Sequence, residues 1–177
     1  MSQFSHRWFN QITDIDTTIW QRFFHDTPFT DHAFLAALEH SGCVSKNTGW
    51  QPMHLAIYQQ KHIVALLPGY IKYHSYGEYV FDWAWAEAYQ QHGLDYYPKW
   101  LSAVPFTPIE GQRLSINHPN PDSVYNYLTQ VLTNTAHDRQ WSGWHINFCH
   151  QQQAESLKSD AVMLRQGVQF QWFNQAY

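Results

Sequence analysis

Lys72 to Tyr89, KYHSYGEYVFDWAWAEAY, sets a lysine, a histidine, a serine, a glutamate and an aspartate among aromatic rings. Side chains alternate along a strand. If Ile71, Tyr73 and Ser75 point one way, Lys72, His74 and Tyr76 point the other. Lys72 and His74 then share a face, and Glu78 and Asp82 follow where the strand gives way to a helix. A carboxylate beside a histidine and a lysine is a workable acid/base set for taking a proton from an attacking amine. The same residues equally make a salt-bridge and capping cluster, with Asp82 read as the N-cap of the helix WAWAEAYQQ.

A second stretch, KWLSAVPFTPIEGQRLSINHPNPDSVYNYL, reads as a strand, a glycine-containing loop and a long helix. Backbone N–H groups and the helix dipole favour an anion at such a place, and Arg113 can add charge-assisted bonds. The plainer alternative is a surface loop with Gly111 in a turn. Elsewhere the chemistry thins out. His32 and His40 lack the one-turn spacing of a helical metal pair, so no metal site is expected. There is no P-loop, dinucleotide glycine fingerprint or serine nucleophile elbow. Trp50, Trp83 and Trp85 read as packing residues.

The elements that position these residues follow from periodicity. RWFNQITDI reads as an opening strand, and DIDTTIWQRFF as a helix capped by Asp16 or Thr17. DTPFTDHAFLAALEHSG is a helix capped by Thr30 or Asp31 and stopped at Gly42. Met53–Tyr58 and His62–Leu67 form a hairpin whose second arm continues past Pro68-Gly69 through a bend. A helix over DWAWAEAYQQHG, a strand over YYPKWLSAVPF and a loop over TPIEGQRL follow. The helix NPDSVYNYLTQVLTNTAHDRQ is capped by Asp122 or Ser123. WHINFCH is a strand, QQQAESLKSD a short helix and VMLRQGVQFQWF a final strand. Helices mixed among strands predict one α/β layered domain around a mixed sheet.

The 177 residues suit a single domain with a real core, at 44% hydrophobic and 14% charged. A net charge of −4 and scattered basic residues exclude a broad nucleic-acid footprint, so DNA is not an expected partner. Cys43 and Cys149 are far apart and imply a reducing compartment. The opening residues lack a signal-peptide layout, and no stretch approaches the ~20 apolar residues of a membrane span. Cytoplasmic location is the resulting expectation.

PFTDHAFLAALEHSG, TGWQPMHLAIY, PGYIKYHSYGEYVFDWAWAEAY, YYPKWLSAVPFTPIEGQRL and QFQWFN, in that order, closely resemble the FemAB-like peptidoglycan biosynthesis/recognition family, within the GNAT-type acyltransferase superfamily. The resemblance implies a GNAT-like α/β fold, a central mixed sheet flanked by helices in which two strands splay to admit an acyl donor. WLSAVPF then resembles the splaying strand and TPIEGQR the donor loop. The Gln/Arg-x-x-Gly-x-Gly/Ala loop of acetyl-CoA enzymes is missing, Gly111 and Arg113 being the parts that remain. Longer relatives consist of two related halves, so the chain resembles an N-terminal half, in a bacterial setting.

By that resemblance the function is transfer of an acyl or aminoacyl group to an amine, with a peptidoglycan precursor as a fitting acceptor. No tightly bound cofactor is implied; an acyl-CoA or an aminoacyl-tRNA would act as co-substrate. His74, Glu78 and Tyr97 become the catalytic candidates, and Pro105, Phe106, Thr107, Gly111 and Arg113 the donor-binding ones. His32, Trp50, His54, Lys72, Ser75, Asp82, Trp85 and Lys99 are the acceptor-binding candidates. Two alternatives stand beside this: a recognition module for cell-wall peptide or glycan, and an inactive half that serves as an assembly interface. A homodimer fits the latter.

Overall fold

The computed structural model describes residues 3–25, 27–80, 82–159, 162–168, 170 and 172–175. Strand β1 (Phe4–Phe9) leads through a 3-10 turn (Ile12–Asp14) into helix α1 (Thr17–Phe23). Asp16 caps α1 by accepting from the backbone N–H groups of Thr18 and Ile19. Asp31 caps helix α2 (His32–His40) in the same way, accepting from Ala33 and Phe34. In each case a short carboxylate meets N–H groups that the first helical turn leaves unpaired.

The hairpin is longer than its periodicity suggested. Strands β2 (Trp50–Pro52) and β3 (His54–Gln59) form one arm; β4 (His62–Leu67) and β5 (Tyr70–Lys72) form the other. The arms pair antiparallel on both sides of a bend at Met53 and Pro68-Gly69, so one hairpin serves two four-stranded sheets. Their orders are β1-β3-β4-β7 and β2-β5-β6-β8, with β6 at Lys99–Ser102, β7 at Ser115–Ile116 and β8 at Trp144–Ile146. The first sheet is antiparallel; the second is mixed, because β6 and β8 run parallel.

The bend is the tightest point of the fold. Met53 N–H donates to the Gly69 carbonyl (2.7 Å), and the Trp100 indole donates to the Met53 carbonyl (2.9 Å). A Cβ on Gly69 would lie 2.2 Å from the Trp100 ring and 2.8 Å from the Met53 oxygen. Neither neighbour is the end of a flexible chain, so Gly69→Ala overpacks the crossing. A loss of about 1–3 kcal/mol is expected, read as a lowered urea midpoint with unchanged slope.

Alternation along the strands sorts the core. Leu55, Ile57, Ala65 and Leu67 face one way and meet helices α4 (Pro121–Asp138) and α5 (Gln151–Leu157) through Val124, Leu128, Leu132 and Leu157. Ala56 and Leu66 face the other way, against α1 and α2 through Trp20, Phe23 and Leu35. This is the layered α/β arrangement expected from the element order, except that the bent hairpin divides the one mixed sheet expected into two.

Three local expectations are corrected. The α4 cap is Asn120, whose side chain accepts from Ser123 N–H, with Pro121 following at the start of the helix. The described residues of VMLRQGVQFQWF form no strand beyond a lone Ser159–Val162 bridge, and Val168 and Phe170 are almost wholly exposed. Finally, β5 stops at Lys72, and Tyr73–Gly77 follow as bends and turns. Lys72 and His74 therefore do not share a strand face.

Candidate active site

Register across the second sheet places the charged groups. Trp50 pairs with Lys72, and Lys72 pairs with Lys99, so the three stand in one row on one face. Tyr70 and Leu101 occupy the next row on that face, packed with Trp50 and Val44. His145 pairs with Leu101 and shares the same side. Two lysines side by side in a sheet need anions. Glu78, in the loop after β5, and Asp82, just before helix α3 (Trp83–Gln91), supply them.

All four charged side chains are buried, the two lysines completely. Lys99 Nζ donates to Asp82 Oδ2 at 2.6 Å and lies 3.0 Å from Glu78 Oε2. That second contact is an ion pair without hydrogen-bond alignment, so both Glu78 oxygens remain free of hydrogen bonds. The Tyr96 hydroxyl donates to Asp82 Oδ2 (2.8 Å). Lys72 Nζ rests 3.7 Å above the Trp50 ring and donates to the Tyr76 carbonyl (3.1 Å), which also accepts from the Trp50 indole (3.2 Å). These two hydrogen bonds to one carbonyl, which no periodicity reveals, fasten the loop that carries His74 and Glu78.

The surroundings separate the two carboxylates. Burial opposes ionisation of Asp82, but the Lys99 and Tyr96 bonds outweigh it and hold the group below its usual range. At Glu78 burial wins, and Lys99 only partly offsets the rise. The two neighbouring acids are thus shifted in opposite directions. Burial, with help from Lys72, lowers His74, and burial, with help from Lys99, brings His145 down to about 4. Burial pushes the Tyr97 phenol up, with Ser75 acting against it.

Lys72 is itself displaced, down to about 7, chiefly by burial and against the pull of Glu78. Its unfolded value is near ~10.4, so between the two the unfolded chain holds the extra proton. Stability should therefore rise with pH from about 7 toward 10; below 7 the ammonium is charged in both states and the handicap is fully present. Urea midpoints measured across that window should climb in the wild type and flatten in Lys72→Met.

The sheet also shows where its parallel strands part. The pairing of β6 with β8 runs from Trp100–Trp144 to Ser102–Ile146 and ends on the bond from Asn147 N–H to the Ser102 carbonyl (2.9 Å). Beyond it, Gly111 bridges to Cys149, and Arg113 Nε donates to the Asn147 carbonyl (3.0 Å). The side chains of Ser102 and Asn147, both buried, have unpartnered Oγ and Nδ2 atoms at this end.

With that geometry in view, a family model described as FemAB-like peptidoglycan biosynthesis/recognition matches residues 11–177. The chain belongs to the FemAB-like family. A crystal structure of the ribosomal-protein-alanine N-acetyltransferase from Brucella melitensis biovar Abortus 2308 has the same fold. Its TM-score is 0.51 at 11% identity, covering 94% of this chain and 99% of that one. Against curated proteins there is no match. The GNAT-like fold expected from the sequence is thus the fold of this FemAB-like chain. No helix among its described residues is long and apolar enough to cross a membrane.

The FemAB-like chain brings Trp50, Lys72, His74, Ser75, Glu78, Asp82, Tyr97 and Lys99 into one neighbourhood. Phe106 joins its edge, 5.4 Å from the Trp50 ring. Asp82 holds the N-cap position of α3 without capping it; its carboxylate turns inward to Lys99. His54 is elsewhere, between Glu39 Oε1 (2.9 Å) and Gly69 N–H (3.1 Å), tying α2 to the bend. His32 bonds the Ile12 and Ile15 carbonyls through Nε2 and meets Thr17 through Nδ1. Trp85 lies exposed on α3.

On the donor side, Arg113 is buried and committed to the carbonyls of Ile109, Gln112 and Asn147 rather than directed at an anion. Gly111 bonds the Phe148 carbonyl, Thr107 the Val104 and Pro105 carbonyls, and Pro105 is buried beside them. Tyr96, His145, Ser102 and Asn147 were missed. Tyr96 sits next to Tyr97 in DYYPK, but His145 needs the β6–β8 register, which spans more than forty residues.

Proposed function

We propose that the chain transfers an acyl or aminoacyl group to an amine, with a peptidoglycan precursor as acceptor. The observation that carries this reading is the placement of unpartnered buried polar atoms. Among the described residues they fall on His74 Nδ1, Glu78 Oε1 and the Tyr97 hydroxyl at the charged cluster, and on Ser102 and Asn147 at the strand end; Glu78 Oε2 lacks a hydrogen bond but keeps its ion pair with Lys99. Each such atom costs about 1–3 kcal/mol if nothing meets it. A fold keeps that cost where a ligand or a proton in transit uses the atom.

The amine nitrogen attacks the carbonyl carbon of a thioester or ester, forming a C–N bond as the C–S or C–O bond breaks. Glu78 takes the proton that the amine loses, and the Tyr97 phenol gives one to the leaving sulfur or oxygen. Asp82 keeps Lys99 and Tyr96 in position. The reacting carbonyl lies within reach of Glu78 and Tyr97, and the strand end at Ser102 and Asn147, some ~10 Å along β6 from Lys99, takes a more distant part of the donor. Acyl-CoA or aminoacyl-tRNA is the donor class.

A second reading, recognition without transfer, is favoured by Arg113, whose guanidinium is engaged by three carbonyls. One experiment separates them. The chain is incubated with a muropeptide bearing a free side-chain amine and, in turn, acetyl-CoA, a long-chain acyl-CoA or an aminoacyl-tRNA, and products are weighed by mass spectrometry. A mass gain on the amine supports transfer. Muropeptide binding with no gain from any donor supports recognition, and neither binding nor gain overturns both.

A further inference from the structure

The charged cluster is closed over. Lys72, Lys99, Asp82 and Glu78 are all buried, Glu78 to 3% exposure, so an acceptor amine meets Glu78 only after something moves. Residues 73–79 are the segment in contact with Lys72. The Tyr76 carbonyl accepts from its Nζ and from the indole of Trp50, whose ring lies 3.7 Å from the same nitrogen. Elsewhere the segment's backbone is held at few points. It forms neither helix nor strand, and its Tyr73 and Glu78 amides bond the Gly49 and Ser75 carbonyls at 3.3 and 3.2 Å. Tyr73, Tyr76 and Tyr79 are exposed, and Tyr79 sits at φ +57°, a strained setting for a tyrosine. Segments of this kind open locally while the core stays folded.

Lys72 is the group that closure burdens. Among the described residues no carboxylate pairs with it; Glu78 and Asp82 both pair with Lys99. Sealed against one indole and one carbonyl, an ammonium has one hydrogen bond for three donors, and burial then favours the neutral amine. We infer that residues 73–79 are a cover over the site and that opening the cover takes up one proton on Lys72. The cover follows from burial and contacts; that its opening admits the acceptor rests on the reading of Glu78 as the proton acceptor.

The direction of the pH dependence follows. With the cover open, Lys72 meets water and titrates near ~10.4; with it closed, burial holds the group down to about 7. Between those values closing releases a proton, so the cover tightens as pH rises. Below 7 the ammonium is charged in both states and the balance levels off. The other groups around Lys72 act differently. His74 and Asp82 are lowered and titrate below this window, and the Tyr96 and Tyr97 phenols are pushed above it. Lys99, its neighbour in the row, belongs to β6 and is bonded to Asp82. Glu78 lies on the cover and is raised, so it works in the opposite sense: closure favours its protonated form.

Hydrogen exchange over residues 73–79, read by mass spectrometry with the intrinsic rate divided out, tests the cover without any substrate. In the wild type and in Glu78→Gln, protection should lie well below that of the β3–β4 core. It should rise between pH 7 and 9 by a factor approaching tenfold per pH unit, the slope of one linked proton. In Lys72→Met it should be flat. Segment protection that ignores pH in the wild type, while that of the core rises, places the exposure of Lys72 in global unfolding and overturns the proposal. Protection equal to the core's, or an unchanged slope in Lys72→Met, overturns it too. Should Lys72→Met not fold, the wild-type contrast between segment and core decides alone. Exchange reads the cover and the mass-gain assay reads transfer, so either reading can fail without the other.

Discussion

Lys99→Met should destabilise the protein by about 3–5 kcal/mol, the scale of breaking a buried ion pair from one side. Among the described residues Lys99 is the single cation that touches both carboxylates, at 2.6 Å from Asp82 and 3.0 Å from Glu78, with the Tyr96 and Tyr97 rings at 4.8 and 5.3 Å. Methionine keeps much of the side-chain volume and removes the charge. Two buried anions then face each other without their shared partner, and both the lost attraction and the like-charge repulsion act in a poorly solvated space. Chemical denaturation at pH 7 measures the loss. Adding Glu78→Gln and Asp82→Asn should recover most of it, since a neutral set leaves no buried charge uncompensated. The single variant should also close part of its deficit on acidification, as its carboxylates take up protons. A Lys99→Met protein within ~1 kcal/mol of wild type would show that solvent reaches the cluster.

Glu78→Gln should lower kcat/KM for transfer by about 10²–10⁴-fold, the usual contribution of a positioned proton acceptor. The loss should fall on kcat, because the amide keeps the shape and can still meet the acceptor. The wild-type acid limb should have its midpoint above the ordinary glutamate value, in the direction burial moves Glu78, and should vanish in the variant. Asp82→Asn is the informative contrast. It weakens the Lys99 bond and the Tyr96 bond, so its effect should be mainly on stability. If Glu78→Gln transfers at the wild-type rate with an intact acid limb, the proton goes elsewhere.

Much of this was legible in the chain because it depends on near neighbours. Caps at Asp16 and Asp31, the hairpin, the Pro68-Gly69 bend and the amphipathic α4 all follow from spacing over a few residues. The membership of the cluster was also largely legible, since Lys72, His74, Ser75, Glu78 and Asp82 fall within eleven positions. Their roles were less so. Asp82 occupies an N-cap position, and only the approach of Lys99 and Tyr96 from β6 draws its carboxylate inward. Arg113 reads as an anion ligand until the Asn147 carbonyl, just past β8, and the carbonyls of its own loop are placed around it. His145 was invisible because a parallel pairing across α4 brings it to Leu101. The strand expected near the C-terminus had the right alternation, yet among its described residues the Ser159–Val162 bridge is the sole pairing.

The cluster sets two buried basic groups, Lys72 and Lys99, against two buried acidic ones, Glu78 and Asp82. Such a set is closer to a quadrupole than to a net charge, and its field dies away steeply outside the protein wall. Ligand encounter with this cluster should therefore receive little electrostatic steering, and association rates should be nearly indifferent to ionic strength.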